Sequence, residues 1–377
     1  MKPIYILGTG HTPFGKSTAS IAELMGQAVT GCLEEAQVSY ANCELAIIGN
    51  FSAQFVHQSH LGPVLNTQMN GNIEAIRVEA ACAAGAVAFR QAVLALLSGI
   101  YTKVLVVGVE KMTQVSSQLA NEILISSAAP QEQQYGNTFA GQFALIARAY
   151  LDRYPNTTYK DLARIAVINH RHALTNPLAQ FHKPITLADV LTSPVIAHPL
   201  RLFDCAPLSD GAAAILLSTT PPSSHQNAVA VAGLGFATGG ISLSQRQHLD
   251  QFPAARQAAK AAYSQAGITP SQVDLAEIHD AFTISELILL EELGFAAAGQ
   301  AYKLIRRGAI GAKGTIPVNL SGGLKAKGHP VGATGVSQIV SIARELQTHT
   351  SRQIGLTCNL GGVASTAAVT ILRRKSL

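Results

Sequence analysis

The chain has no tryptophan in 377 residues and only 12 phenylalanines and 9 tyrosines, while glycine occurs 32 times. That balance disfavours an aromatic-rich β architecture and favours many tight turns between strands and helices. Charge is also scarce. Charged residues make up 13% of the chain and hydrophobic ones 48%, which excludes a disordered protein and points to a large core with contacts between subunits. The net charge is +5, and the Lys and Arg residues are dispersed, so there is no basic stripe for nucleic acid. A small molecule carrying phosphate suits that balance better.

Cysteine is sparse and unpaired. Residues 32, 43, 82, 205 and 358 are five in number, odd and without pair spacing, which excludes a disulfide framework and a zinc site. A reducing cytoplasm fits, and no metal is implied. Long apolar runs are missing too: MKPIYILGTGHTPFGK is too short in its apolar part for a secretory signal and no stop-transfer segment follows it, so no membrane partner is expected. The final Lys375, Ser376 and Leu377 hold the letters of a peroxisomal address in the wrong order.

What is present is a rhythm of short apolar runs, each followed by a helical pattern. IYILG, ELAIIGN at 44–50, VLVVGV at 104–109 and AAAILLS at 212–218 predict strands of an α/β sheet covered on both faces. The rhythm weakens between about 115 and 200, which predicts an inserted excursion or lid. TTPPSSHQN at 219–227 reads as the boundary between two halves, 1–222 and 223–377, and the strand AVAVAGLGF opens the second. A weak internal echo supports two halves. VEAACAAGAVAFRQAVLALL leads into one strand, and VNLSGGLKAKGHPVGATGVSQIVSIARELQ leads into another.

Four places could carry chemistry. In VEAACAAGAVAF, residues 78–89, Cys82 is set before a helix whose first turns are small. The positive end of that helix would stabilise a thiolate and its amides could hold an oxyanion; a small buried core cysteine would leave the same pattern. In GHPVGATG, 328–335, glycines and Pro330 fix His329 at a helix start, where a general base can be aimed, although a glycine turn with an incidental histidine would read alike. In EIHDAF, 277–282, His279 ends a strand, the place where ligands collect in such sheets, and Asp280 reads as the cap of the helix that follows. In IGLTCNLGGVAST, Cys358 ends a strand before a glycine turn. It reads as a second acid/base or as a buried strand-end thiol.

Taken together and in this order, these stretches resemble the thiolase family. The resemblance runs from GTGHTPFGK through PLRLFDCAPLSDGAAAILLS to the terminal glycine turn, and GHPxGATG and SDGAAA carry most of its specificity. HDAF in place of the Asn-led motif of most thiolases makes the chain look most like sterol-carrier-protein-type thiolases and archaeal acetyl-CoA acetyltransferases. The resemblance implies an α/β thiolase-like fold: two similar βαβαβαββ halves packed as an α/β/α/β/α core, with the lid inserted in the first half.

It also implies a Claisen condensation or thiolytic cleavage of 3-oxoacyl-CoA. Cys82 would be acylated, His329 would deprotonate it and Cys358 would move the α-proton. His279 and His329 would line an oxyanion hole for the thioester enolate, and the Cys82 amide with the turn at Gly361 and Gly362 would form a second. Ser321, Gly322 and Phe282 would contact substrate. Acyl-CoA and coenzyme A would be substrates with no bound cofactor, and Arg148, Arg153, Lys160, Arg164, Arg171 and Lys183 are the candidates for its phosphates. The assembly would be a homodimer or homotetramer. Two departures stand out: Ala281 replaces the cysteine frequent in HDxF, and Leu360 replaces a glycine two residues after Cys358, narrowing the turn. A ketoacyl-synthase-like condensing enzyme and a catalytically inactive binding protein on the same fold are the alternatives.

Overall fold

The computed structural model describes residues 3–222 and 228–375. Residues 223–227 of the expected boundary, and Ser376 and Leu377 of the terminal tripeptide, lie outside the described residues.

The first half runs β1 (Tyr5–His11), α1 (Ile21–Ala36), β2 (Leu45–Gly49), α2 (Leu61–Gln68), β3 (Glu74–Val78), α3 (Ala84–Leu97) and β4 (Lys103–Lys111). The excursion follows as α4 (Ser117–Ile125), α5 (Pro130–Gln134), α6 (Phe139–Arg153), α7 (Tyr159–Ala173) and α8 (Leu187–Thr192), then a ribbon of β5 (Val195–Ala197) and β6 (Leu200–Arg201). Strand β7 (Asp210–Ser218) closes the half. The second half is β8 (Ala228–Thr238), α9 (Pro253–Ala266), β9 (Leu275–Ile278), α10 (Thr283–Glu292), α11 (Ala301–Arg306), α12 (Gly323–Lys327), α13 (Val331–Thr348), β10 (Ile354–Gly361) and β11 (Thr366–Lys375).

Local chemistry explains the ends. Ser20 and Glu23 form a reciprocal capping box at α1, and Gly267 at φ +64° stops α9. The first glycines of the chain do not end the strand. Gly8 and Gly10 lie inside β1, where a Cβ would sit 2.3 Å from Cys32 O and 1.8 Å from Ala28 O, so they let α1 lie directly on the strand.

Nine strands are hydrogen-bonded in the order β3-β2-β4-β7-β1-β8-β11-β10-β9. Within the sheet the halves join at the centre along β1 and β8, where Tyr5 pairs with Ala230, Ile6 pairs with Val229 and Val231 N donates to Ile4 O at 2.9 Å. Side chains alternate between layers. Ala46, Ile48, Leu105 and Val107 pack against α1, whereas Ile47, Val104 and Val106 turn inward with α3 and α13. Leu356, Cys358 and Leu360 of β10 pack outward among residues of α9 and α10. The result is α1 and α2, sheet, α3 and α13, sheet, α9 and α10: the five layers expected. The second half differs from a βαβαβαββ unit in one respect. Its counterpart of β3 is a single bridge between Ala276 and Val318, because Pro317 offers no donor and Asn319 turns left-handed at φ +54°. Among the described residues no helix is long and apolar enough to cross a membrane.

The middle layer is tight where α3 and α13 begin. A Cβ on Gly335 would meet Ala86 N at 2.3 Å, and one on Gly85 would meet Gly332 O at 2.6 Å. Those contacts are with backbone, which cannot swing away, so Gly335→Ala should destabilise the fold by about 2 kcal/mol. The measurement is a urea unfolding midpoint; an unchanged midpoint would show that the two helices can separate without cost.

Candidate active site

The starts of α3 and α13 and the end of β9 border a cavity of about 870 Å³ that is lined by Cys82, His279, His329, Phe282 and Gly362 among others. Cys82 follows Ala81, held at φ +50°, and precedes the helix cap Ala83. A left-handed alanine is strained, and here it turns the thiol toward the cavity rather than along the helix. The residue is half-buried and its thiol enclosed.

The thiol is the first correction. Burial, with Glu110 next in size, pushes its pKa up to about 12, while the Gly362 amide and its own amide pull the other way. Desolvation outweighs the helix end, so the resting sulfur is protonated and needs a base. Glu110 is itself buried and raised to about 7; it accepts from Asn50 Nδ2 at 2.9 Å, Phe51 N at 2.8 Å and Gly332 N at 3.1 Å, tying β4 to the start of α13.

His329 is buried, which lowers its pKa to about 3. Its Nδ1 lies 2.7 Å from Thr334 Oγ1, and that hydroxyl donates to Pro330 O at 2.9 Å. With its hydrogen so committed, Thr334 accepts from Nδ1–H and leaves Nε2 with a free lone pair. The backbone N of His329 donates to Ser209 Oγ at 2.9 Å, which ties the SDG motif to the segment that carries this imidazole. His279 lies 5.2 Å from His329 between ring centroids, edge to face at 87°. Its Nδ1 faces Asn359 Nδ2 at 3.1 Å. Since an amide nitrogen can only donate, His279 carries its proton on Nε2; burial first, then His329, holds its pKa far below normal.

Asp280 caps α12 rather than α10. It accepts from Leu324 N at 2.6 Å and Lys325 N at 3.2 Å. Asn169 Nδ2 bridges Asp280 Oδ2 at 2.8 Å and Glu286 Oε2 at 2.7 Å, and burial raises both carboxyls. HDAF is thereby fastened to the segment that leads into GHP.

Not every expected residue arrives. Cys358 lies mid-strand on β10 and packs outward with Leu356 and Leu360, so strand alternation turns it away from the cavity and sets Asn359 against His279 instead. Leu360 shares the outward face and does not crowd the glycine turn, whose Gly362 at φ +60° lines the cavity. Gly361 lies beneath the Cys82 loop, where a Cβ would meet Ala80 O at 2.6 Å. Ser321 binds Glu277 through N at 2.9 Å and Oγ at 2.6 Å, and Gly322 caps α12; both build the wall behind the cavity rather than line it. Phe282 lines it, stacked 4.6 Å from Phe143. Of the six basic candidates only Lys183 borders the cavity. Arg148 pairs with Asp152, Arg153 with Asp250 and Arg164 with Asp161.

A five-layer α/β fold with a thiol and two neutral histidines gathered at the two central helix starts defines the thiolase class of condensing enzymes. The chain belongs to the thiolase family: residues 4–220 match the model described as "Thiolase, N-terminal domain" and residues 235–374 the "Thiolase C-terminal domain-like" model. It is 37% identical to an acetyl-CoA acetyltransferase of Methanothermobacter thermautotrophicus, over 99% of this chain and 100% of that one. It is 38% identical to the protein of the same name from Methanocaldococcus jannaschii, over the full length of both. Bovine sterol carrier protein 2 is 30% identical over 91% of this chain and 66% of its own length. Among solved structures, the Ltp2-ChsH2(DUF35) aldolase superposes with a TM-score of 0.83 at 25% identity, covering 99% of this chain and 98% of that one. Human mitochondrial 3-ketoacyl-CoA thiolase in complex with CoA shares the fold, with a TM-score of 0.76 at 14% identity over 99% and 98%.

The hydrogen-bond pattern fixes both tautomers. Imidazole 15N spectra should show His329 protonated on Nδ1 and His279 on Nε2, with neither ring titrating between pH 5 and 8, because burial disfavours the charged form. A titration midpoint near 6.5 for either would contradict the assignment.

Proposed function

We propose that this protein is an acetyl-CoA C-acyltransferase that makes or cleaves 3-oxoacyl-CoA through an acyl group on Cys82. The observation that carries this reading is the meeting of Cys82, His279 and His329 on one cavity with the Gly362 amide at the sulfur. The archaeal relatives named acetyl-CoA acetyltransferase support it.

His329 Nε2 takes the proton from Cys82, and the sulfur attacks the acyl carbonyl. A thiol this basic is a poor nucleophile until a base is present, so the neutral imidazole is essential to the step. The oxyanion formed there is held by the Cys82 and Gly362 amides. His279 Nε2–H donates to the enolate oxygen of the second thioester, and Asn359 keeps that proton on the correct edge. Phe139, Phe143, Phe181 and Phe282 give the cavity apolar walls, which exclude water from the acyl-enzyme and accept an acyl chain. Coenzyme A is a substrate, with Lys183 the basic residue at the cavity mouth, and no resident cofactor takes part.

All five cysteines are free, as suits a reducing cytoplasm. Strand β3 is a sheet edge, and Ile76, Leu94 and Ile100 are exposed beside it at 46, 40 and 77%. An unpaired edge flanked by apolar residues invites a second copy, so the assembly is at least a homodimer.

Incubation with acetyl-CoA, followed by quenching and peptide mass spectrometry, should place an acetyl group on Cys82, and the enzyme should cleave acetoacetyl-CoA when coenzyme A is present. Absence of both would end the thiolase reading. Cys82→Ala should abolish both. Cys358→Ala should alter the rates less than threefold, since that thiol does not reach the cavity.

A further inference from the structure

Breaking the bond between C2 and C3 of a 3-oxoacyl thioester leaves charge on C2, and a proton must reach that carbon. Cys358 faces another layer and position 281 is alanine, so the two places where this sequence family would suggest a second thiol are both unable to supply it. The cavity nevertheless holds a second thiol. Cys205 borders it together with Ala281, Phe282, His279 and Cys82.

The backbone brings Cys205 to that place. It forms a bridge with Phe282, and Ala206 N donates to Ala281 O at 2.8 Å, so the DCAP segment lies alongside HDAF. A thiol absent from residue 281 is thus present on the neighbouring segment. Beside it is Lys325, on the α12 turn that Asp280 caps. The residue is 2% exposed and lines the same cavity, and among the described residues its ammonium makes no hydrogen bond or ion pair; it sits 5.8 Å from the centre of the Phe203 ring. With Asp280 and Asp204 close enough to act on its charge but neither bonded to it, the ammonium is free to face a further negative charge that forms in the cavity.

We propose that Cys205 is the second proton-transfer residue of this enzyme and that Lys325 is a positioning residue whose ammonium stabilises the Cys205 thiolate. The inference rests on the thiolase reading above. In the cleavage direction His329 takes the Cys82 proton, and the sulfur adds to C3. The C2–C3 bond then breaks with its electron pair going to the enolate, and the Cys205 S–H gives its proton to C2. Acetyl-CoA leaves; the site holds acyl-Cys82, protonated His329 and the Cys205 thiolate beside Lys325. The proton on His329 passes back to Cys205, and neutral His329 is ready to deprotonate the incoming coenzyme A thiol. The CoA sulfur attacks acyl-Cys82, whose departing sulfur recovers that proton. No oxidant or reductant is needed.

The resting charges agree with this order. Burial holds the Cys205 pKa up at about 12, so it starts as the acid that cleavage requires. Burial also lowers Lys325, to about 8, against the opposing influence of Cys205, Asp280 and Asp204, while His170 is the further titratable group that feels its charge. Below pH 8 the ammonium is present; above it the charge is lost and the thiolate loses its stabilising partner.

The test compares three measurements on the whole chain: acetylation of Cys82 by acetyl-CoA, cleavage of acetoacetyl-CoA, and exchange of the C2 hydrogens of acetyl-CoA with D2O. In Cys205→Ala, acetylation should stay within twofold of wild type while cleavage and exchange fall by about 100-fold or more. Cys205→Ser, nearly isosteric, should show the same split and carries the test if the alanine variant does not fold by thermal melting. Lys325→Met should lose the decline in cleavage above pH 8 together with most of the rate, whereas Lys325→Arg should keep the rate and move the decline to higher pH. Cleavage and exchange within threefold of wild type in the Cys205 variants would overturn the proposal, as would equal loss of acetylation and cleavage. Wild-type protein that never acetylates Cys82 would instead refute the thiolase reading itself.

Discussion

The close crossing of α3 and α13 governs everything functional in this protein. Two helices whose glycines leave room for backbone to touch backbone bring their starts together at the centre of the molecule. One start carries Cys82 and the other follows His329. Larger side chains at Gly85, Gly332 or Gly335 would push these starts apart, more than the proposed proton transfer between them tolerates. The small residues around Cys82 are therefore a steric condition for bringing two distant chain segments into one site. The site follows from the packing of the middle layer rather than from any loop.

Buried carboxylates then fix what the glycines permit. Asp210 accepts from Met112 N at 2.7 Å, Thr113 N at 2.8 Å and Ser17 N at 3.0 Å, gathering the loops after β4 and β1. Glu110 performs the corresponding task for the segment at Phe51 and for Gly332, and Asp280 for α12. Each of these acids is satisfied mainly by backbone N–H groups, so it tolerates burial while orienting main chain.

Much of this was legible in the sequence. The strands at Tyr5–His11, Leu45–Gly49 and Lys103–Lys111 and the glycine-flanked His329 follow from local pattern. Three kinds of information were not. The side to which β10 presents Cys358 or Asn359 depends on strand register, and both faces of that strand are buried, so no polar alternation reveals it. The ionisation of Cys82 depends on how completely the fold encloses it, and local pattern indicated only the helix end beside it. The nearness of Cys205 and Lys325 to position 281 is a long-range contact between segments about 75 and 45 residues from that position in sequence, with no motif in common, and only the assembled fold brings them together.

The halves are alike in plan but not at their outer edges. Among the described residues β3 ends the sheet on one side with its outer main-chain edge unpaired, whereas on the other side β9 is partly covered: Ala276 N donates to Pro317 O at 3.0 Å and Asn319 N donates to Ala276 O at 2.8 Å. A molecule with two free edges could add copies at both ends and grow into a ribbon without limit. With one edge free and the other occupied, strand pairing between copies can only be mutual, edge to identical edge, and it ends there. The shrunken strand of the second half thus works as a terminator, and it makes any association through the sheet finite.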